Sequence, residues 1–164
     1  MTTIVDLSQA AMNYFITDAG TGASAVRALL IDGADSVFEA GEIQASILDT
    51  AEQTRDTAKV AKCLALVVQD AGEQDTDLAG VFTQFIVVRV YDRMCGYTNI
   101  RAIREAIEAA FAPDDEMNVT VGYGRSLRDI RYIGRTGLRY DETYQVFYEA
   151  ITIRAICMRA DYMN

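Results

Sequence analysis

The sequence predicts an α+β fold: a small, mostly antiparallel sheet packed by helices on one side, in a single domain over residues 1–164. Three observations carry this expectation. Residues 81–113, VFTQFIVVRVYDRMCGYTNIRAIREAIEAAFAP, read as one long strand, a tight glycine turn and one amphipathic helix. The apolar run Cys63–Gln69 precedes that strand across about a dozen residues without helical pattern, which favours an antiparallel hairpin. Tyr144–Cys157 (YQVFYEAITIRAIC) reads as a last strand, with Phe147, Ile151 and Ile153 on one face.

Taken in order, Asp6–Ile16 predicts a first helix. Leu7, Ala10, Ala11, Tyr14 and Phe15 recur at helical spacing, and Asp6 suits the N-cap. Thr17–Ser24, rich in Gly, Thr, Ser and Asp, predicts a loop. Val26–Ile31 is apolar and of open type. Asp32-Gly33 marks a turn, Val37-Phe38 a short strand, and Gly41 its end. Glu42–Thr57 is acidic and weakly periodic, readable as helix or exposed loop, and no role follows for residues 42–60. Cys63–Gln69 is short and fully apolar, as for a central strand. Asp70–Gly80 (DAGEQDTDLAG) predicts a polar connection.

In Phe82–Asp92, Gln84, Ile86, Val88 and Val90 point one way, and Phe85, Val87, Arg89 and Tyr91 the other. Both faces are largely apolar, so the strand is expected to be covered on both sides or to meet a neighbouring subunit. Cys95-Gly96 predicts a turn. The following helix is expected over Asn99–Phe111, capped by Thr98 or Asn99 and stopped by Pro113. Ile100, Ile103, Ile107 and Phe111 form its buried stripe. Arg101, Arg104, Glu105 and Glu108 form the opposite face, with two i,i+4 ion pairs. Asp114–Asn118 predicts an acidic turn, Arg128–Ile133 a strand, and Gly134–Thr143 a loop.

Composition narrows the function. The chain has 164 residues, 51% of them hydrophobic, and one proline. That suits a globular domain with a sizeable core. No apolar run approaches the roughly 18 residues of a spanning helix. The first residues, MTTIVDLSQAAMNYF, lack the pattern of a secretion signal. Cys63, Cys95 and Cys157 are odd in number and widely spaced, which argues for buried thiols rather than a disulfide framework. Histidine is absent, which removes the commonest metal ligand and general base.

Motifs with chemistry are sparse. Gly122-Tyr123-Gly124 resembles a fragment of a phosphate loop but lacks the Gly-Lys-Ser/Thr that would complete one. Asp114, Asp115 and Glu116 lack the spacing of a calcium loop. Ser8, Ser24, Ser36, Ser46 and Ser126 have no evident base. Carboxylate-pair chemistry stays open, with nothing pointing to a cleft. The expectation is therefore a protein that is not an enzyme, with no catalytic residue, cofactor or metal.

Charge is unevenly placed. The net charge is −9; residues 1–80 hold 13 acidic and 4 basic side chains, and residues 81–164 hold 11 of each, every cation there being arginine. Arg125, Arg128, Arg131, Arg135 and Arg139 form the one dense cationic segment, while Asp70, Glu73, Asp75 and Asp77 form an acidic run. RNA recognition would use such arginines with exposed aromatics. The overall acidity favours contact with an acidic neighbouring subunit instead, because Arg pairs carboxylates through its planar fork. The two runs are thus the candidate interface between copies, with solvated faces as the alternative.

Over roughly residues 60–157 the chain resembles the tail-terminator proteins of long-tailed bacteriophages. The resemblance rests on the strand ending in Tyr91-Asp92-Arg93, on Gly96-Tyr97 with Asn99-Ile100 opening IRAIREAIEAAF, and on Gly134-Arg135 and Tyr140-Asp141-Glu142 before the last strand. It implies a small sheet packed on helices and a six-membered ring of identical subunits. Such a ring ends polymerisation of the tail tube and offers a surface to the head's connector. The implied partners are other copies of the chain, the tail tube protein and the connector or neck protein. No membrane and no specific nucleic acid are implied, though DNA would pass through the ring; the implied location is the neck of a virion. Phage head-completion or neck proteins are the nearest alternative, and a cellular protein-binding adaptor the next.

Overall fold

The structure, a computed structural model, describes residues 7–93, 97–111, 119–121 and 125–159; for Val119, Thr120, Val121, Arg125, Ser126 and Arg159 it describes the backbone. The elements run α1 (Leu7–Thr17), α2 (Thr21–Ala28), a single 3-10 turn (Gly33–Ser36), β1 (Val37–Glu39), α3 (Ala45–Ala58), β2 (Ala65–Asp75), β3 (Val81–Asp92), α4 (Tyr97–Ala110), β4 (Val119–Val121), β5 (Arg125–Arg135), β6 (Arg139–Asp141) and β7 (Val146–Arg159). The seven strands make one sheet in the order β1-β2-β3-β7-β5-β4, with β6 also on β7. Among the described strand pairs the short β1–β2 contact is the parallel one, and an isolated parallel bridge joins Leu30 to Cys63. The α+β class and the mostly antiparallel sheet are as the sequence predicts.

β3 lies in the middle because both its faces can be buried. Its alternation is direct: Phe82, Gln84, Ile86, Val88 and Val90 are buried on one side. There they meet Ile151, Ile153 and Ala155 of β7 and the α4 stripe Ile100, Ile103 and Ile107, in a core that also takes in α1 and α2. Fully burying one such side chain stabilises by about 1.5–3 kcal/mol. The β2–β3 and β3–β7 pairs are antiparallel throughout, Leu66 opposite Val90 and Val88 opposite Ile151.

The helix over residues 45–58 resolves the ambiguous acidic stretch. α3 buries Leu48, Ala51 and Arg55, a stripe too narrow to dominate the pattern. It packs with Tyr91, Val67 and Val146 over one end of the second sheet face, away from the main core. Three helices therefore share the expected side and α3 adds a cover on the other. Lys59 closes α3 in the left-handed region at φ 55°, its N–H donating to the Arg55 carbonyl at 2.8 Å.

Four local expectations are corrected. α2 stands where residues 17–24 suggest a loop. Its Gly, Thr and Ser content is turn-like, but Ala23 and Val26 are fully buried and a side chain at Gly22 would run into the Tyr14 hydroxyl and Ala110. Tertiary packing overrides propensity here. β2 continues through Asp75, so most of the acidic connection is strand, held by its register with β3. α4 begins at Tyr97, which places Thr98 and Asn99 inside the helix rather than at its cap. Finally, Arg139–Asp141 is a short strand, β6, within the expected loop. The Asp6 cap, the Cys95-Gly96 turn, the Pro113 stop, the Asp114–Asn118 turn and the Gly122–Gly124 motif lie outside the described residues.

Candidate assembly surface

Two edges of the sheet carry the residues the sequence singles out. On the first, β1 covers only Leu66–Val68, which leaves Gln69–Asp75 as the rim of the β2–β3 hairpin. A bulge between Asp70 and Glu73 interrupts the register. Gly72 sits there at φ 92°, a conformation that suits glycine, and its N–H donates to Asp70 Oδ1 at 2.8 Å. Glu73 Oε1 accepts from Gln84 Nε2 at 2.7 Å, and Gln84 Oε1 accepts from the Leu7 N–H at 3.0 Å. This chain ties the rim to the start of α1.

The tip is ordered by Thr76, whose hydroxyl donates to the Val81 carbonyl at 2.6 Å. Asp75 and Asp77 are exposed there and make no ion pair among the described residues. Leu78 at the tip is 68% exposed.

The opposite edge is made by β4, which covers residues 125–127 of β5, by the rest of β5 and by β6; β5 and β6 follow one another along β7, Arg135 pairing with Ile151 and Arg139 with Tyr148. The five arginines predicted as an interface lie on these two strands, but they are not equivalent. Arg131 pairs with Asp129 two residues away, and Asp129 also accepts from Arg154 at 3.3 Å. Arg135 pairs with the fully buried Glu149. That carboxylate also faces Arg104 at 3.9 Å and accepts from the Tyr97 hydroxyl at 3.2 Å. Arg128 and Arg139 are exposed and make no ion pair among the described residues. The side chain of Arg125 lies outside them.

Arg104, expected on the solvent face of α4, is 8% exposed because Glu149 draws it down to the sheet. The expected Arg101–Glu105 pair is present at 2.9 Å.

Sequence reasoning missed the apolar part of these edges. Ile133, Leu138 and Tyr140 are 46%, 43% and 51% exposed, all on the β5–β6 side; Tyr140 rests its ring on Phe147 with centroids 5.0 Å apart. Leu138 follows Thr136-Gly137, and Leu78 sits in Asp77-Leu78-Ala79-Gly80. An apolar residue inside a turn-rich stretch is the signal that could have found them.

A second cluster joins α3 to the sheet. Arg55, 1% exposed, pairs with the fully buried Asp92 at the end of β3. Asn99 Nδ2 donates to the other oxygen of Asp92 at 3.1 Å. Next to it Arg93 pairs with Asp49, bonds Glu52 at 2.9 Å and donates to the Tyr144 carbonyl at 3.2 Å. A cavity of about 500 Å³ opens beside Arg55, Lys59, Thr98 and Asn99. Asp56 also lines it, and of its charged wall residues Arg55 is already engaged by Asp92.

Burial pushes the Cys63 thiol well above its usual range; the Asp92 carboxylate adds to the rise and Arg55 opposes it. In the native protein at pH 8, Cys63 is therefore expected to resist maleimide, and to label only once the chain is unfolded; peptide mapping by mass spectrometry checks this. Labelling of native Cys63 within minutes would contradict it.

Among the described residues, no group of three or more Cys, Asp or Glu is arranged to hold a metal ion, and no helix is long and apolar enough to cross a membrane. No protein-family model matches the chain, and no curated protein matches it. In fold it is similar to a chain of a solved structure described as "Virion of native gene transfer agent (GTA) particle", with a TM-score of 0.52 and 16% identity over 87% of each chain. The likeness extends over most of both chains and is one of fold.

Proposed function

We propose that this chain is a structural subunit of a virion, acting through its surfaces rather than by catalysis. In this reading it forms the ring at the head-proximal end of the tail tube. The ring ends tube polymerisation and offers the surface that joins the head, with DNA passing through its opening. Its partners are further copies of itself, the tube protein below and the connector or neck protein above. The observation that carries the reading is the fold likeness, over 87% of both chains, to a chain of a gene transfer agent virion. The resemblance of residues 60–157 to tail terminators supports the finer assignment. The location of charged and apolar groups on two rims of the sheet, rather than in a cleft, suits a protein that works by contact.

The test is removal of the gene from the genome that encodes the particle, followed by electron microscopy. Tails of uncontrolled length, separate from filled heads, are the expected result. Tails of normal length that fail to join heads would move the assignment to the neck. Normal particles would overturn it.

A further inference from the structure

We infer that the acidic β2–β3 hairpin of one copy docks, Leu78 foremost, on the arginine-bearing β5–β6 edge of a second copy. The inference rests on the self-assembly in the function proposed above; what it adds is which two surfaces meet.

The two edges cannot meet within one chain. β3 and β7 lie between β2 and β5, which separates them by three strand spacings, about 14 Å, and turns them to opposite sides. Their charges are complementary. β2 carries three carboxylates and no cation, whereas β5 carries four arginines and one aspartate. The internal pairings sharpen this picture. Glu73, Arg131 and Arg135 already hold partners in their own chain. Among the described residues, Asp75 and Asp77 on one edge and Arg128 and Arg139 on the other are exposed and make no ion pair; Asp70, also exposed and outside the ion pairs, accepts from the Gly72 N–H.

The exposed apolar side chains divide in the same way. Leu78 projects from the acidic edge; Ile133, Leu138 and Tyr140 face solvent from the basic one. A central apolar contact rimmed by charged pairs is the usual anatomy of a protein interface. Side chains rather than a continuous strand ladder would make this contact. Bulges at Asp70/Glu73, Arg128/Arg131 and Tyr132/Gly134 break both rims, and the Tyr132 N–H is already donated to the Phe111 carbonyl at 3.3 Å. Such irregular rims resist strand addition. Because the two surfaces differ, the contact is head-to-tail and closes into a ring when the rotation permits.

The test uses two double variants, Asp75→Arg with Asp77→Arg and Arg128→Glu with Arg139→Glu, each checked for native circular dichroism. Sedimentation and native mass spectrometry follow association as concentration rises. Wild type is expected to self-associate, and each variant to do so at least ~tenfold more weakly, since each sets like charges against each other. An equimolar mixture should restore assembly, because the reversed edges complement each other, and it should yield species with an even number of subunits. Leu78→Asp should weaken association without lowering the melting temperature.

Wild-type assembly in both variants, or no rescue on mixing, would overturn the interface while leaving a ring of other geometry intact. A wild-type chain that stays monomeric at millimolar concentration would overturn it too, while a virion role through other partners would survive. Binding of single-stranded RNA that depends on Arg128 and Arg139, without self-association, would overturn it in favour of a nucleic-acid edge.

Discussion

Replacing Asp92 with alanine is expected to lower the unfolding free energy by about 3–5 kcal/mol, because it strands a buried charge. Arg55 is 1% exposed and Asp92 is fully buried, and the two are paired. The other contacts of Arg55 are weak: Glu52 lies at 4.0 Å, Asp56 at 3.7 Å, and the Lys62 carbonyl at 3.5 Å. Its Nε and Nη2 have no hydrogen-bond partner among the described residues. Removing the carboxylate therefore leaves a guanidinium with little to replace water, and it also removes the acceptor of Asn99. The attraction of the intact pair is largely cancelled by its desolvation, so the loss measures the cost of an orphaned ion rather than the worth of the bridge.

Two companions separate these effects. Asp92→Asn keeps the shape and an acceptor oxygen and should lose less. Arg55→Met with Asp92→Leu removes both charges and should recover most of the loss. Urea unfolding with an unchanged slope reads all three. A loss under about 1 kcal/mol for Asp92→Ala would mean that water reaches Arg55 and that this junction of α3 with the sheet is open.

The elements legible in the sequence are those whose periodicity and burial coincide. β3 alternates because one face meets helices and the other is half-covered, and the residues predicted to share a face do so. α1 and α4 show a stripe at helical spacing because each lays one side on the sheet. α2 escapes this reasoning: it has eight residues and buries small side chains, so its pattern is that of a loop. The outer half of β2 escapes it for another reason. Asp70–Asp75 holds no apolar alternation at all; it is a strand because β3 offers it a hydrogen-bonding partner.

The candidate surface was half legible. Clusters of like charge are visible by counting, and both runs fall on sheet edges. Counting cannot say which charges are already satisfied. Arg135 meets Glu149 only because β5 and β7 pair, and Arg104 reaches the same carboxylate from a helix. Local proximity explains the third case, since Arg131 lies two residues from Asp129. Of the four candidate arginines whose side chains are described, the fold leaves two, Arg128 and Arg139, exposed and without an ion pair among the described residues. Charge reversal at Arg131 would consequently disturb its own sheet as well as any neighbour, which makes Arg139 the cleaner companion to Arg128.

Truncating Phe15 to alanine is the second large effect expected, a loss of about 3–5 kcal/mol. Phe15 is fully buried on the inner face of α1. Its ring meets Tyr14 at 5.4 Å and Phe111 at 6.0 Å between centroids, and Tyr14 meets Phe111 at 5.2 Å. These three rings join α1 to the end of α4, and tilted or edge-on pairs add about 0.5–1.5 kcal/mol beyond the area they bury. The gap left by alanine would not close easily. The helices around it are pinned elsewhere, α1 by the Gln84 contact to Leu7 and α4 by Arg104, so transfer and cavity terms should both appear. Because Gly22 packs beneath Tyr14, the disturbance should spread to α2, whose amides should exchange faster than those of β3. Phe15→Leu, which refills most of the volume, should lose less than about 1.5 kcal/mol. Thermal and urea unfolding read the magnitude, and amide exchange reads the spread. If alanine cost under about 1.5 kcal/mol with α2 unchanged, α1 would be an appendage rather than part of the core.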